Sequence, residues 1–221
     1  MRKTSIQWIL RTVCSDRFII IQSELTKSHI AGATALSIFG GHHFAALTRM
    51  FGPLSSVSAT TGKWMTTSQP LGADDKPTGR KPVPHTAPDH FSVTGSLAAH
   101  PGAVFTGVWR VGVPVVGPKS GNRPSMLLLI DGTEGAIRVE TTKLLAGQLH
   151  LTAAAKVFLN GEEVVLPEDP PFVGNTGRNW AEFAKGVEGD YPRWDDAVVI
   201  HKHIDAIARA AQEGRRIEIE L

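Results

Sequence analysis

The chain has 221 residues, of which 42% are hydrophobic and 20% charged, and this balance is typical of one globular domain. Its 23 basic and 21 acidic residues leave a net charge of +2, which makes no electrostatic case for nucleic acid or for a membrane surface, so neither is predicted as a partner. The longest apolar run, residues 126–130, has the length of a strand and not of a membrane span. Cys14 is the only cysteine, which excludes an intrachain disulfide and favours a reducing compartment, so a cytoplasmic location is predicted.

The first thirty residues show the weakest helix or strand periodicity in the chain. Ile6–Val13 is compatible with a short helix and Arg17–Leu25 with a strand. Residues 32–41 are small, apolar and punctuated by glycine, which suits a tightly packed approach to a helix.

A helix is predicted from about His42 to Met50. Gly52 and Pro53 end it, because glycine accepts a left-handed cap and proline cannot continue a helix. Its apolar positions recur at spacings of three and four: Phe44, Leu47 and Phe51, with Ala46 and Met50 on the same side.

The middle of the chain has the period of two that indicates strands. Residues 54–60 form the first predicted strand, and the five prolines of residues 66–88 predict a long exposed loop. Asn160-Gly161 predicts a hairpin, because both central residues of a type I′ turn need a positive φ. The remaining predicted strands are 89–97, 102–109, 126–131, 135–140 and 156–166.

The last fifty residues favour two helices and a closing strand. A helix over 175–186 has Trp180, Phe183 and Ala184 on one face, and residues 217–221 alternate as a strand does. The longer helix, 195–212, has one apolar stripe: Ala197, Ile200, Ile204, Ile207 and Ala208. Strands grouped together with flanking helices predict an α+β fold with an antiparallel sheet.

Four blocks of sequence resemble one family in their order and spacing. They are residues 40–52, which open with Gly-Gly-His-His, residues 88–97, residues 130–140 and residues 179–218. Together they are similar to the C-terminal domain of the Gfo/Idh/MocA oxidoreductases, in the branch that contains the fungal galactose/lactose-regulon repressor. The resemblance covers residues 31–221 and leaves residues 1–30 as a poorly matching segment.

The resemblance implies an open, mostly antiparallel β-sheet with helices packed on one face, as in dihydrodipicolinate-reductase-like folds. In the family, the other face of the sheet often forms a dimer interface or meets a partner protein, so a homo-oligomer or a protein partner is expected there. The family also implies a sugar-like small molecule as ligand. A nuclear location is expected only if the chain is a regulatory protein.

Family enzymes normally carry a nicotinamide-binding Rossmann domain of over a hundred residues before the Gly-His segment, whereas about forty residues precede it here. The chain contains no Gly-x-Gly-x-x-Gly sequence and no match to the family's Glu-Lys-Pro segment. We therefore expect a chain truncated to the substrate half, which binds no cofactor alone, although NAD(P) is implied for the full-length family.

His42 is the candidate catalytic residue. The resemblance aligns it with the family histidine that handles a proton beside the sugar hydroxyl, a role that suits the near-neutral pKa of imidazole. The family usually has acids four residues before and three residues after this histidine, where this chain has Ile38 and Ala45. The alternative is that His42 caps or packs the start of the helix.

No metal site is predicted. His43 lies next to His42, and neighbouring helical side chains point about 100° apart, which disfavours a two-histidine site. His201 and His203 do not face each other either, and His201 is expected to pack against the sheet or to bond a carbonyl. Asp89 is interpreted as a turn cap, and the basic stretch 76–85 as a solvated loop.

Three functions are compatible with these observations. The first is the C-terminal substrate-binding and oligomerisation domain of an NAD(P)-dependent, sugar-type oxidoreductase, not catalytic alone because the dinucleotide-binding domain is absent. The alternative is a non-catalytic regulatory or interaction protein that resembles the galactose-regulon repressor. In a third hypothesis, another chain supplies the dinucleotide domain to an active enzyme.

Overall fold

One large β-sheet organises the chain. The structure, a computed structural model, describes residues 34–70, 76–110, 124–142, 155–165 and 174–221, together with the backbone of residues 7–13. The strands of the described residues are β1 (Gln7–Val13), β2 (Leu54–Gly62), β3 (Thr67–Ser68), β4 (Val83–Pro84), β5 (His90–Leu97), β6 (Val104–Arg110), β7 (Met126–Gly132), β8 (Gly135–Thr141), β9 (Lys156–Leu159), β10 (Glu162–Val164) and β11 (Ile217–Glu218). The helices are α1 (Gly41–Phe51), α2 (Gly174–Ala184) and α3 (Trp194–Glu213).

Within the described ranges the sheet has nine strands in the order β10-β9-β8-β7-β1-β6-β5-β2-β11. Neighbouring strands run antiparallel except β1 and β6, which are parallel. Hairpins and meanders of this kind need only short connections, which agrees with the short spacing of the predicted strands. The predicted α+β class, with an open and mostly antiparallel sheet, is confirmed.

The helix predicted over Ile6–Val13 is wrong, because Gln7–Val13 forms β1 in the interior of the sheet. A short apolar run does not distinguish helix from strand by its periodicity alone, and here partners almost a hundred residues away decide the outcome. The strand predicted over Arg17–Leu25 lies outside the described residues. The boundary proposed between residues 30 and 31 stays a prediction.

The helices α1 and α3 pack on one face of the sheet, as predicted. The core between them contains alternate residues of the strands and one face of each helix: Phe44, Leu47, Leu54, Val57, Phe91, Val93, Phe105, Trp109, Met126, Leu128, Ala206 and Ile207. Gly107 lies beneath two rings of its own strand, since a Cβ there would come within 2.5 Å of Trp109 and 2.7 Å of Phe105. The ring pair therefore requires glycine at this position.

The opposite face of the sheet is polar in one part and apolar in another. On β5 it presents Ser92 and Thr94 to solvent, whereas on β7 it presents the half-buried Leu127 and Leu129. An open face of this mixed type is normal for an antiparallel sheet. The apolar part of this face is concentrated around β7.

The helix predicted from about His42 to Met50 is confirmed as α1. A π-helical turn, Leu36–Gly40, leads into it without a break. Gly52 ends it with a φ of 80°, and its N–H donates to the carbonyl of Thr48, so the predicted glycine stop is also confirmed.

The proline-rich segment 66–88 is less open than predicted. Its two ends pair as β3 and β4, and Ser68, His85 and Ala87 are buried. The Ser68 hydroxyl and His85 Nδ1 lie 3.2 Å apart and are within hydrogen-bond distance. The prolines prevent a longer ladder, while the basic residues described between the two strands remain exposed: Lys76, Arg80 and Lys81.

Asp89 is a turn cap, as predicted. Its carboxylate, 2% exposed, accepts hydrogen bonds from the backbone N–H groups of Trp64 and Met65 at 2.7–3.0 Å. These bonds fix the turn that follows β2 and present Trp64 to solvent.

We expect Asp89→Ala to destabilise the protein by about 1–3 kcal/mol, because two backbone donors lose a charged acceptor in a buried position. Urea unfolding followed by tryptophan fluorescence measures the change. Asp205→Ala, at an exposed position of α3, is the matched control and should change the free energy of unfolding by less than about 0.5 kcal/mol. Equal stabilities of the two variants would contradict the role of Asp89 as a cap.

The hairpin and the last helix complete the fold. Asn160 and Gly161 have φ values of 52° and 91°, which confirms the predicted turn and divides the predicted strand 156–166 into β9 and β10. Helix α3 confirms the prediction for 195–212, but Ala208 is exposed, and the buried stripe contains His203, Ala206 and Ala210 instead. No helix in the described part of the chain has the length and apolarity to cross a membrane.

Candidate functional site

Three consecutive residues at the start of α1 point in three directions. His42 is exposed, whereas His43 and Phe44 are buried at 0% and 1% exposure. A helix turns about 100° per residue, so one side chain reaches solvent while its two neighbours enter the core. The predicted divergence of His42 and His43 is therefore observed, and the described residues contain no cluster of metal-ligating side chains.

His43 connects α1 to β6. Its Nδ1 accepts a hydrogen bond of 2.7 Å from the indole N–H of Trp109, which places the proton of the neutral imidazole on Nε2. Phe44 packs beside this pair, with its ring centroid 5.7 Å from that of Trp109. His43 thus contributes to the structure of the core.

The buried histidine of α3 is His203, not His201. His203 Nε2 accepts the N–H of Leu54 at 2.8 Å, and its Nδ1 donates to the carbonyl of Val199 at 2.6 Å. Its ring also stacks on Phe44. The role predicted for His201, contact with the sheet and a carbonyl, belongs to His203, because His201 faces solvent on the opposite side of the helix.

His42 lies in a cleft of about 480 Å³ between the two packed helices and the segment that precedes α3. The wall on α1 is formed by His42, Ala45, Ala46, Thr48 and Arg49. The other walls come from α2, from the segment 185–193 between α2 and α3, called the connector below, and from the first turns of α3. Their residues are Asn179, Asp190, Pro192, Asp196, Val199 and Ile200. These residues are more than a hundred positions apart in sequence, and the packing of α1 against α3 brings them together.

Charged groups cross the mouth of the cleft. Arg49 forms an ion pair with Asp190, and both side chains are largely exposed, at 64% and 69%. Asp196 accepts the N–H of Arg193 at 2.7 Å and thereby caps the start of α3. The hydroxyl of Thr48 is bonded to the carbonyl of Phe44 within α1.

Partial burial of its ring at the wall of the cleft lowers the pKa of His42 below the ordinary value of 6.5. The imidazole is consequently neutral at pH 7, with one nitrogen able to accept a proton or a hydrogen bond from a hydroxyl. The geometry supports recognition of a hydroxyl-bearing ligand at this position.

Sequence reasoning identified His42 but missed the other polar groups of the cleft. Arg49 occurs seven residues after His42, and this spacing places both on one face of a helix, so the signal was present. Asn179, Asp190 and Asp196 give no comparable signal, because their position depends on how α2 and α3 pack.

The described residues do not fit a dinucleotide. None of the three described helices follows a strand through a glycine-rich turn, which is the arrangement that holds a pyrophosphate. No hydride step is therefore assigned to the residues described.

A protein-family model, described as Gal80p, C-terminal domain, matches residues 19–141. Among curated proteins, a dehydrogenase of Aspergillus oryzae, aclE, is 25% identical over 97% of the chain and is covered over 58% of its own length.

Solved structures show the same fold. A super-repressor mutant of Gal80p from Saccharomyces cerevisiae superposes with a TM-score of 0.76 and 17% identity, over 98% of this chain and 58% of its own. Levoglucosan dehydrogenase in complex with NADH and L-sorbose gives a TM-score of 0.66 and 16% identity, over 98% and 59%. The chain thus spans somewhat more than half the length of these relatives, and at such identities the structural likeness concerns the fold alone.

Proposed function

Because the chain belongs to the family of Gal80p C-terminal domains, within the Gfo/Idh/MocA group, we propose that it is the ligand-binding domain of a sugar-type oxidoreductase. The cleft beside α1 is the binding site. One observation carries the proposal: His42 lines the cleft, whereas the adjacent His43 is buried in the core and hydrogen-bonded to Trp109.

The other walls of the cleft suit a hydroxyl-rich ligand. Asn179 and Asp196 offer planar amide and carboxylate groups, which bond hydroxyl groups well, and Val199 and Ile200 offer apolar surface to ring carbons. The neutral imidazole of His42 accepts a hydrogen bond from a hydroxyl and holds the proton that leaves when the carbon is oxidised.

Nuclear magnetic resonance of the full chain, with D-galactose and D-glucose as probes, tests the site. We expect the ring signals of His42 to move on addition of sugar and those of His43 and His203 to remain in place. His42→Ala should weaken binding by about five- to tenfold, the equivalent of one hydrogen bond. Because the pKa of His42 is lowered, binding should be retained at neutral pH and lost as the pH falls through that lowered pKa.

The control is His201→Ala, which removes an exposed histidine of α3 that does not line this cleft. It should bind sugar as the wild type does. If His42→Ala binds like the control, or if neither sugar perturbs His42 at millimolar concentration, the cleft is not the site.

The regulatory alternative rests on a specific observation. The two family acids near the histidine are replaced by Ile38 and Ala45, and the chain has the fold of a repressor protein. A chain of this kind would bind a partner protein instead of turning over a substrate. Recovery of one specific protein with the full chain from its native cell, in the absence of sugar binding, would favour this alternative.

Oligomerisation through the open sheet face belongs to the same proposal. Leu127 and Leu129 are half buried on that face, and the ring of Phe158, two strands away, lies under the guanidinium of Arg138 at 3.9 Å. A second copy that covered these residues would bury apolar area that now faces solvent. Sedimentation equilibrium tests this: a dimer mass supports it and a monomer mass contradicts it.

A further inference from the structure

The wall of the cleft on α1 has a cation at one end and an imidazole at the other. Arg49 and His42 are two helical turns apart, a rise of about 10 Å. Between them lie Ala45, Ala46 and Thr48, whose small side chains leave the space above the helix open. This span accommodates a six-membered sugar ring with one substituent directed at Arg49.

The guanidinium of Arg49 already holds a carboxylate at the mouth of the cleft, that of Asp190. Both side chains are about two-thirds exposed, and a pair of this kind contributes only about 0–1 kcal/mol. Among the described residues Asp190 is the one ion-pair partner that Arg49 has. The pair is therefore easily exchanged, and it marks the position that a carboxylate takes against Arg49.

The connector that carries Asp190 does not depend on this ion pair. The backbone N–H of Asp190 donates to Glu182 Oε2 at 3.0 Å, and Lys185 holds the other oxygen of the same carboxylate at 2.5 Å. The side chain of Asp190 is thus able to leave Arg49 while its backbone stays in place.

The second carboxylate of the cleft, that of Asp196, repels an anionic ligand only weakly. Asp196 is bonded to the N–H of Arg193 at the first turn of α3. The positive end of the helix dipole offsets part of its charge. Asp190 is consequently the main electrostatic competitor of an anionic ligand at Arg49.

We propose that Arg49 determines the ligand specificity of the cleft by binding the carboxylate of an acidic sugar, chemically a uronate, which displaces the carboxylate of Asp190. A guanidinium pairs with a carboxylate through two parallel hydrogen bonds, which gives direction as well as affinity. The exchange replaces one carboxylate by another, so no charge is left unpaired on Arg49. This proposal rests on the proposed function, because it assigns a ligand class to the same cleft.

The test compares matched probes on the full chain, D-galacturonate against D-galactose and D-glucuronate against D-glucose, by calorimetry. The wild type should bind each uronate about two- to fivefold more tightly than the neutral sugar. Arg49→Met, which keeps the length of the side chain, should abolish this preference. Asp190→Asn should tighten uronate binding by about two- to fivefold, because it removes the competing carboxylate.

The gain from Asp190→Asn is the decisive readout, since a merely structural ion pair would give no gain in affinity when broken. The proposal is overturned if the uronates bind no better than the neutral sugars, if Arg49→Met keeps the preference, or if Asp190→Asn leaves uronate affinity unchanged. Neutral sugars that perturb His42 without any uronate preference would refute this proposal and leave the proposed function intact. Uronate binding that depends on Arg49 but leaves His42 unperturbed would refute the proposed role of His42 and support Arg49. Binding of neither probe class would refute both.

Discussion

Replacement of His203 by alanine should destabilise the protein by about 3–5 kcal/mol and lower its Tm by roughly 10 °C. The side chain is fully buried, stacks on Phe44 and joins α3 to β2 through the N–H of Leu54. Its removal leaves a cavity between helix and sheet and deprives a buried backbone donor and the carbonyl of Val199 of their partner. Thermal and urea unfolding monitored by circular dichroism measure the loss.

Two further variants separate these effects. His203→Gln should recover part of the stability, because the amide oxygen of glutamine occupies nearly the position of Nε2 and accepts the N–H of Leu54. His201→Ala removes an exposed histidine from the same helix and should change the free energy of unfolding by less than about 0.5 kcal/mol. A His203→Ala variant as stable as His201→Ala would show that the tie between α3 and β2 is dispensable.

His203 also makes stability depend on pH. Burial lowers its pKa, and the hydrogen bond to the carbonyl of Val199 opposes this in part. The unfolded chain, with an ordinary pKa near 6.5, takes up the proton first. The contribution of His203 is therefore complete above pH 6.5 and is lost as the pH falls from there towards the lowered pKa of the folded state. The stability difference between wild type and His203→Gln should shrink between pH 7 and pH 5, and a difference independent of pH would contradict this assignment.

Replacement of Trp109 by alanine should cost about 3–5 kcal/mol, since its ring fills the core between Phe44 and Phe105. Trp109→Phe keeps an aromatic ring but removes the N–H that His43 accepts, and it should cost about 1–3 kcal/mol because a buried acceptor loses its donor. The free energy of unfolding in urea measures both changes.

A double-mutant cycle with His43→Leu isolates the hydrogen bond from the packing. If the hydrogen bond contributes to stability, the double variant should lose less free energy of unfolding than the sum of the losses in the two single variants. Additive effects would contradict a direct coupling of Trp109 and His43. The same variants test the position of His42, because a shift of its neighbour His43 should move the ring signals of His42 in the cleft.

The sequence correctly predicted those elements of the fold that depend only on neighbouring residues. The glycine that ends α1 and the Asn160-Gly161 hairpin follow from the backbone conformations that these residue types accept, and both are observed. The apolar spacing of three and four predicted α1 and α3 to within about two residues of each end. The cap at Asp89 follows from the preference of aspartate for turn donors.

The wrong predictions concern segments whose structure depends on residues that are distant in sequence. A helix was predicted over Ile6–Val13, whereas Gln7–Val13 is a strand because β6 and β7 offer hydrogen-bond partners on both sides. The buried stripe of α3 was predicted from apolar residues alone and therefore omitted His203, although its spacing from Ile200 and Ile207 places it on that stripe. A polar side chain becomes a core residue only when the fold supplies its partners, here Leu54 and Val199.

The sequence by itself determined the class of the fold, the family and the position of the Gly-His segment at the start of a helix, because these depend on residue order and on local backbone preference. Only the tertiary structure decided which of the two adjacent histidines faces the cleft and which is bonded to Trp109. It also decided that Arg49 meets Asp190 beside His42. The physical reason is that the orientation of a helical face, and the contacts between residues more than a hundred positions apart, are set by the packing of α1 and α3 on the sheet.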